Sequence, residues 1–564
     1  MKNIFKILLV ASVVLLSSGC IKETFPKGST VTAEQLEKSD NALSHMLRGI
    51  PSAMTSTGSA GFYGTYGYHY DFGISGIHLA LESMLEDIAV LNDLGYFWFN
   101  GWYQNLGQGE DYTSCAYFWQ QYYKWIKLAN DIINVAGKVN ENTDEDTKII
   151  LGQAHAYRAL YYLDLARMYE PKPNLRLQPQ PHTLGLTVPL VNENTTEAMA
   201  KNNPRAEREV MYKFILSDLE KAEEYLKNDS NAYDKPNLTA IYGLYARTYI
   251  ELGATYKEMG NPDPAKWDMT SKRAYEEAAK YARKAIDMNL HTPLTQNEWE
   301  DPTNGFNNGN ANRAWIWGLT TSAETQSNLI SNVAHRSNEA LYGYAVLYGL
   351  GINQALFNRI SDNDFRKHSW YDPESGYNYR LAGSGTISGT YFIYSGYGFE
   401  PAKHTSLKFR PADGEVLNYT VGNAADWCLM RIEEMYFIEM EAVLGMGDLD
   451  KARDLLTTFM TEYRDSSYEC YTITLSPEAF ISEMMLQKRI EFWGEGILFY
   501  DYKRLNQGIK RGYNGTNIPS TATFNCEGRS PQWNIVITRG EYQSNKIIKN
   551  QNNLDPTKKL ELWQ

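Results

Sequence analysis

The sequence predicts a mainly α protein, in which a scaffold of helical hairpins carries a large irregular, loop-rich lobe containing short strands. Two observations lead there. Runs such as Ala154–Tyr169 repeat apolar residues every three to four positions, whereas residues 51–111, 291–425 and 512–564 are rich in Gly, Asn, Ser and Tyr and lack that period. Such segments are far too long for plain connections and in compact proteins usually carry function. A chain of 564 residues, 43% hydrophobic, also exceeds the usual reach of one core, so two lobes are expected.

The helices follow in order. Cys115–Val135 is expected to pair with an earlier helix, Thr32–Leu47. In Ala154–Tyr169 one stripe holds Ala156, Leu160 and Leu163 and a second holds Ala159, Tyr162, Ala166 and Tyr169, so neighbours cover both sides. Pro171 and Pro173 end it. Glu209–Leu226, Thr239–Leu252 and Ala274–Met288 come next, then Asp426–Leu444, the turn Gly445–Asp448, and Leu449–Tyr463. Small residues at close approaches, aromatics between helices and brief turns mark hairpins of the tetratricopeptide type, although no strict 34-residue period survives. The scaffold is therefore expected at about 32–50, 112–290 and 426–511, with the irregular segments gathered into an inserted ligand lobe.

The formal charge is −13, which argues against nucleic acid, whose recognition begins with a basic footprint. Residues 1–19 read as a signal peptide: Lys2 and Lys6, an apolar run from Ile7 to Leu16, then Ser17-Ser18-Gly19 before Cys20. The run is too short to span a bilayer. Cys directly after Gly resembles a bacterial lipobox, in which the thiol is acylated, although Leu16 stands four residues before Cys20 where three is usual. Several acyl chains on Cys20 would anchor the chain durably to a membrane. Lys22-Glu23 resembles a surface-export signal of Bacteroidetes lipoproteins. Cys115, Cys428, Cys470 and Cys526 have long irregular spacings and no CxxC, so no zinc motif is present. Cys428 reads as a small buried residue within a helical pattern, and the even count leaves disulfides open.

Several signatures then appear in order. Gly152–Tyr169 followed by Gly185-Leu186-Thr187-Val188-Pro189-Leu190 is similar to a family helix of the form A-x-x-x-R-A-x-Y-Y-x-x-D-L and its V-P-L strand. Pro204-Arg205 with Ile215–Ala222, Met430-Arg431 through Glu434, Tyr436, Glu439 and Glu441-Ala442, then Arg489, Glu491, Glu495-Gly496, Asp501 and Lys503-Arg504 continue it. Thr538–Glu541 through Asn545 closes the series. On these residues the chain resembles the SusD/RagB family over nearly its whole mature length. Gln487 and Leu498 depart from the pattern, where Glu and Arg are usual. The resemblance implies an outer-membrane lipoprotein, not an enzyme, that captures a glycan, or in some members a peptide, and caps a SusC-like TonB-dependent transporter. It also implies that the helical side faces the transporter and that the irregular segments hold the ligand.

Catalysis finds little support in the residues. Glu434 and Glu441 share a helix face and invite a glycosidase reading, but two turns separate their backbones by about 10.5 Å. The two-carboxylate mechanisms need roughly 5–5.5 or 6.5–9.5 Å between carboxyl groups, a gap that flexible side chains can narrow. An Arg431–Glu434 pair at i,i+3 is the plainer expectation. The nine histidines form no HExxH, Asp362-Asn363-Asp364 lacks the rest of a calcium loop, and no GxSxG or glycine-rich phosphate cradle appears. No catalytic residue, cofactor or metal is assigned.

Ligand binding has better candidates. The run Tyr96-Phe97-Trp98-Phe99-Asn100-Gly101-Trp102-Tyr103 mixes aromatic faces, which pack on the C–H face of a sugar, with an amide for its hydroxyls. Read as a strand, it puts Tyr96, Trp98, Asn100 and Trp102 on one face. The expectation is that the phenylalanines pack and the Trp98–Asn100 face is presented. In 291–425, Trp315 and Trp317 resemble a family core strand, while Trp299, His335-Arg336, Tyr342, Trp370 and Tyr371 are further candidates to face ligand.

Overall fold

The computed structural model describes residues 41–57, 68–92, 97–301, 306, 308–310, 312–326, 328–377 and 402–558. Tyr96, Cys20, the signal peptide and most of the expected Thr32–Leu47 helix lie outside them. Helix α1 spans Ala42–Thr55, and the fully buried α2 spans Ile74–Ser83. A four-residue helix α3 (Asn100–Tyr103) precedes α4 (Thr113–Ala136), α5 (Glu145–Tyr169), α6 (Arg208–Leu226), α7 (Leu238–Met259) and α8 (Ser271–Asp287). After a long insertion come α9 (Ile432–Gly445), α10 (Leu449–Tyr463), α11 (Pro477–Glu491) and α12 (Leu498–Arg504).

Caps set the helix starts. Asp144 accepts from the Thr147 N–H at α5, Asn237 from Ala240 at α7 and Thr270 from Arg273 at α8, each relieving an orphaned donor of a first turn. Helix α5 ends at Tyr169, directly before the Glu170-Pro171 step. Successive helices pack on one another, α4 on α5, α5 on α6, α7 on α8 and α9 on α10, which is the helical-hairpin scaffold read from the sequence. Helix α9 also packs on α8 although residues 288–431 intervene. Tyr275 of α8 shows how closely these helices approach. A Cβ added at Gly253 of α7 would lie 2.8 Å from its ring, and one at Gly445 of α9 would lie 2.5 Å from it. Both positions need glycine.

The Asp426–Leu444 reading is corrected in its first six residues. Trp427–Arg431 is a strand, β6, antiparallel to β4 (Trp315–Leu319), with Trp315 opposite Arg431 and Leu319 opposite Trp427. All five residues of each strand are buried, and a continuous buried run has no period to tell strand from helix. Cys428 is buried as expected, but in this strand. All four described cysteines are buried free thiols. The segment 51–111, read as irregular, contains α2, whose ten residues are enclosed on every side and therefore show no amphipathic stripe. Two further antiparallel pairs are short: β2 (Leu186–Pro189) lies on β3 (Arg205–Glu207), and β1 (Ile88–Val90) on β5 (Leu350–Ile352), which ties this segment to the insertion.

The expected Arg431–Glu434 pair does not form. Arg431 caps the end of β6 and points to α11, with Nη1 2.6 Å from Glu491 Oε1 and Nε 2.9 Å from Glu495 Oε2. Arg366 and Arg464 also bind Glu491, each at 2.8 Å, and three guanidinium groups hold that carboxyl well below its usual range despite burial. Gln487, the departure from the signature, accepts from Arg366 Nη2 at 2.6 Å, and Leu498 is buried. No helix among the described residues is long and apolar enough to cross a membrane.

Candidate ligand-binding site

Residues 97–103 form a turn leading into α3, not a strand. Phe97 and Phe99 are buried. Phe97 packs against Tyr103 and Tyr348 at ring distances of 5.4 and 4.9 Å, and Phe99 against Phe72 at 6.0 Å. With both neighbours drawn inward, the backbone turns Trp98 out, and its side chain is 38% exposed. One face of the indole lies on the His69 imidazole, with centroids 4.6 Å apart and planes 24° apart. Tyr344 approaches edge-on at 6.2 Å. His69 Nδ1 and the Tyr344 hydroxyl are 2.6 Å apart, a hydrogen bond whose donor depends on the tautomer. Burial lowers the His69 pKa. Below this trio, the His335 ring is 5.1 Å from Tyr344 and stacks on Phe72 at 4.9 Å. Burial holds His335 down at about 3, so it is neutral.

Asn100, two residues on, is half-buried at the start of α3. Its side-chain Oδ1 is enclosed, so of these two residues it is the Trp98 indole that offers a face suited to the apolar C–H groups of a sugar ring.

Six other candidates are corrected by burial. Trp102 is 3% exposed and stacks on Phe118 at 5.7 Å, because the helical turn rotates it away from Trp98 and into the core. Trp299 is buried, donates from Nε1 to Ser369 Oγ at 2.8 Å, and lies under the cations of Lys408, Arg431 and Arg464. Arg336 is fully buried. It donates to the carbonyls of Gly494 and Ser75 at 2.9 Å and spans the Trp427 ring at 4.4 Å, with its pKa pushed down to about 9 by burial. Trp370 is fully buried edge-on to Trp493, and His335 and Tyr371 are likewise buried. Tyr342 is half-buried, 6.4 Å from the exposed Tyr419 ring.

The sequence reading missed His69 and Tyr344. The one signal for His69 was its place in an aromatic run with Tyr66, Tyr68 and Tyr70. Tyr344 had none beyond its residue type.

Glu434 and Glu441 are engaged. Arg247 donates to both oxygens of Glu434, and Arg504 to both oxygens of Glu441.

Two stretches of the chain match family descriptions in order. Residues 67–250 match a SusD-like family described as starch-binding and associating with the outer membrane, and residues 365–559 match the SusD family. The chain belongs to the SusD/RagB family. A curated relative of this SusD/RagB chain, SusD-like protein P2 of Formosa agariphila, is 26% identical over 181 residues. That match covers 32% of each chain, so it spans about a third of the relative's length. Among solved structures, a SusD-like carbohydrate binding protein from Bacteroides vulgatus has a TM-score of 0.64 at 20% identity, covering 90% of this chain and 97% of its own. The surface glycan-binding protein A of Bacteroides thetaiotaomicron, in complex with laminarihexaose, has a TM-score of 0.57 at 13% identity, covering 90% and 98%. At these identities the likeness is one of fold. It extends over the scaffold and the irregular segments together.

Proposed function

We propose that this SusD/RagB protein is a non-catalytic lipoprotein, anchored through acylated Cys20 at the outer face of the outer membrane. It captures a glycan or oligosaccharide and delivers it to a SusC-like TonB-dependent transporter. The observation that carries the binding reading is Trp98, a large aromatic face held outward on a turn whose other described aromatics are all buried. Sugar rings stack on such a face, while nearby amides bond their hydroxyls. The starch-binding description of the matched family and the laminarihexaose held by a protein of the same fold support a glycan as the ligand. The irregular segments 68–103 and 328–377 supply this site, and the helical hairpins are left as the face for the transporter.

The non-catalytic part of the reading rests on Glu434 and Glu441. Each is bound by an arginine through both oxygens, which leaves neither free to act as acid, base or nucleophile.

Calorimetry of the purified chain against laminarihexaose and a panel of other neutral oligosaccharides tests binding, and chromatography of the recovered sugar tests turnover. Saturable binding that weakens roughly five- to 150-fold in Trp98→Ala, with the sugar returned intact, is expected. Hydrolysis that survives repurification, or full binding by Trp98→Ala, overturns the reading. Co-purification with a TonB-dependent transporter from detergent-extracted outer membranes tests the partner.

A further inference from the structure

A large indole on a turn ahead of a four-residue helix has few restraints of its own. Its orientation comes from what lies behind it. His69 covers one face of Trp98 at 4.6 Å and 24°, and is itself fixed by the 2.6 Å bond between Nδ1 and the Tyr344 hydroxyl. Tyr344 is buried, touches both rings, and rests on His335, which stacks on core residue Phe72. The support therefore runs from the core through Tyr344 and His69 to Trp98. His69 is the link that can change charge near neutral pH.

We infer that His69 is a positioning residue for Trp98, holding the indole in its presented orientation and making that platform respond to pH. The inference rests on the reading of Trp98 as the ligand face and adds the regulation of that face.

The groups around His69 leave it as the titrating member. Facing it are the Tyr344 hydroxyl and, behind that, His335, which is already neutral. Arg336, beside His335, is turned to the Gly494 and Ser75 carbonyls. Along its own segment stand Tyr68, Tyr70 and Asp71, whose Oδ1 accepts from Gln121. Trp98 brings no ionisable group. Burial lowers the His69 pKa, so the ring is neutral at pH 7 and takes its proton on acidification.

Protonation has two local effects. An imidazolium carries N–H on both nitrogens, so Nδ1 must then donate to the Tyr344 oxygen, and the phenolic proton must turn elsewhere. The cation also draws the indole's π density to the covered face. The exposed face is then poorer in electrons for sugar C–H groups, so the platform is at its best with His69 neutral.

The test needs no ligand. The full chain is labelled with 5-fluorotryptophan, and the Trp98 ¹⁹F signal is identified by its loss in Trp98→Phe. In the wild-type chain this signal should shift with pH, with a midpoint below the ordinary histidine value of about 6.5. His69→Phe keeps a ring under the indole and takes no proton, so its Trp98 signal should stay narrow and stationary. His69→Ala removes the support, and its Trp98 signal should move toward that of a solvent-exposed fluorotryptophan. The eleven other tryptophans among the described residues report in each variant whether the fold is intact. A pH-independent wild-type signal, or a His69→Ala signal that superimposes on it, overturns the inference. Failure of the ligand reading is seen separately: Trp98→Ala would bind oligosaccharide normally while the ¹⁹F coupling to His69 persisted.

Discussion

Arg247 holds the carboxylate of Glu434 with two donors, Nε to Oε1 at 2.7 Å and Nη2 to Oε2 at 2.6 Å. The pair joins α7 to α9, and the same Nη2 donates to the Leu429 carbonyl in β6, so one guanidinium fastens two helices and a strand. Both partners are buried. A carboxylate so bound has a structural role, which is why the helix face it shares with Glu441 only resembles a catalytic pair.

Glu434→Ala should therefore lower stability while changing no chemistry. Removing one member of a buried pair leaves the other charge uncompensated, at a cost of about 3–5 kcal/mol. Urea unfolding measures that loss. A variant as stable as the wild-type chain would show that the pair contributes nothing.

Glu82 supplies a pH test. It is fully buried in α2 and accepts from the Gly494 and Gly496 N–H groups at 2.6 and 2.5 Å. Burial nevertheless dominates over those bonds and pushes its pKa up to about 7. The folded chain thus holds this proton more tightly than the unfolded chain, which releases it near pH 4.3 or so, about the ordinary glutamate value. Its contribution to stability is complete below that pH and is lost as pH rises through about 7. Glu491, held low by its arginines, has the opposite slope, so the whole-protein profile mixes the two. The difference between wild type and Glu82→Gln isolates the first. The stability advantage of wild type over the variant should shrink between about pH 4.3 and 7. An advantage that is constant or growing across that window contradicts the assignment.

Legibility in the sequence followed the physics of each segment. Helix α10 was read to the residue because Leu449–Tyr463 alternates a buried stripe of Ala452, Leu456, Phe459 and Met460 with a solvated one. Trp427–Arg431 was not, because a strand enclosed on both faces and a helix enclosed all round give the same unbroken apolar run. The same cause hid α2. At the site, the inward phenylalanines and outward Trp98 fit either a strand or a turn, so the run located Trp98 on the surface but misplaced Trp102, where the two geometries diverge. His69 and Tyr344 meet Trp98 only through tertiary packing of segments far apart in sequence. No local pattern announces that contact.

The anchor reading predicts a fractionation result. A lipid on Cys20 requires its thiol, so Cys20→Ala should move the chain from the membrane fraction to the soluble one, with no acyl mass on the N-terminal residue. Unchanged membrane retention of Cys20→Ala, together with an unmodified N-terminus in the wild-type chain, sinks it.

Trp98 and Trp102 make a matched pair, four residues apart, with the same side chain in opposite settings. Trp102 is 3% exposed, stacked on Phe118 and edge-on to Tyr70 at 5.1 Å, so truncation leaves a cavity the surrounding rings cannot fill. Trp102→Ala should cost about 3–5 kcal/mol of stability. Trp98, 38% exposed with its inner face on His69, leaves little void behind, and Trp98→Ala should unfold close to the wild-type chain. Binding should divide the other way. Stacking on an aromatic contributes on the order of 1–3 kcal/mol by analogy with base stacking, so Trp98→Ala should lose roughly five- to 150-fold in oligosaccharide affinity. A Trp102→Ala chain that remains folded below its lowered Tm should bind nearly as wild type, since its ring touches no ligand. Calorimetric titration and thermal unfolding on both variants separate the roles in one experiment. Wild-type affinity with reduced stability in Trp98→Ala would return Trp98 to the core and move the site toward the half-buried Tyr342 and exposed Tyr419.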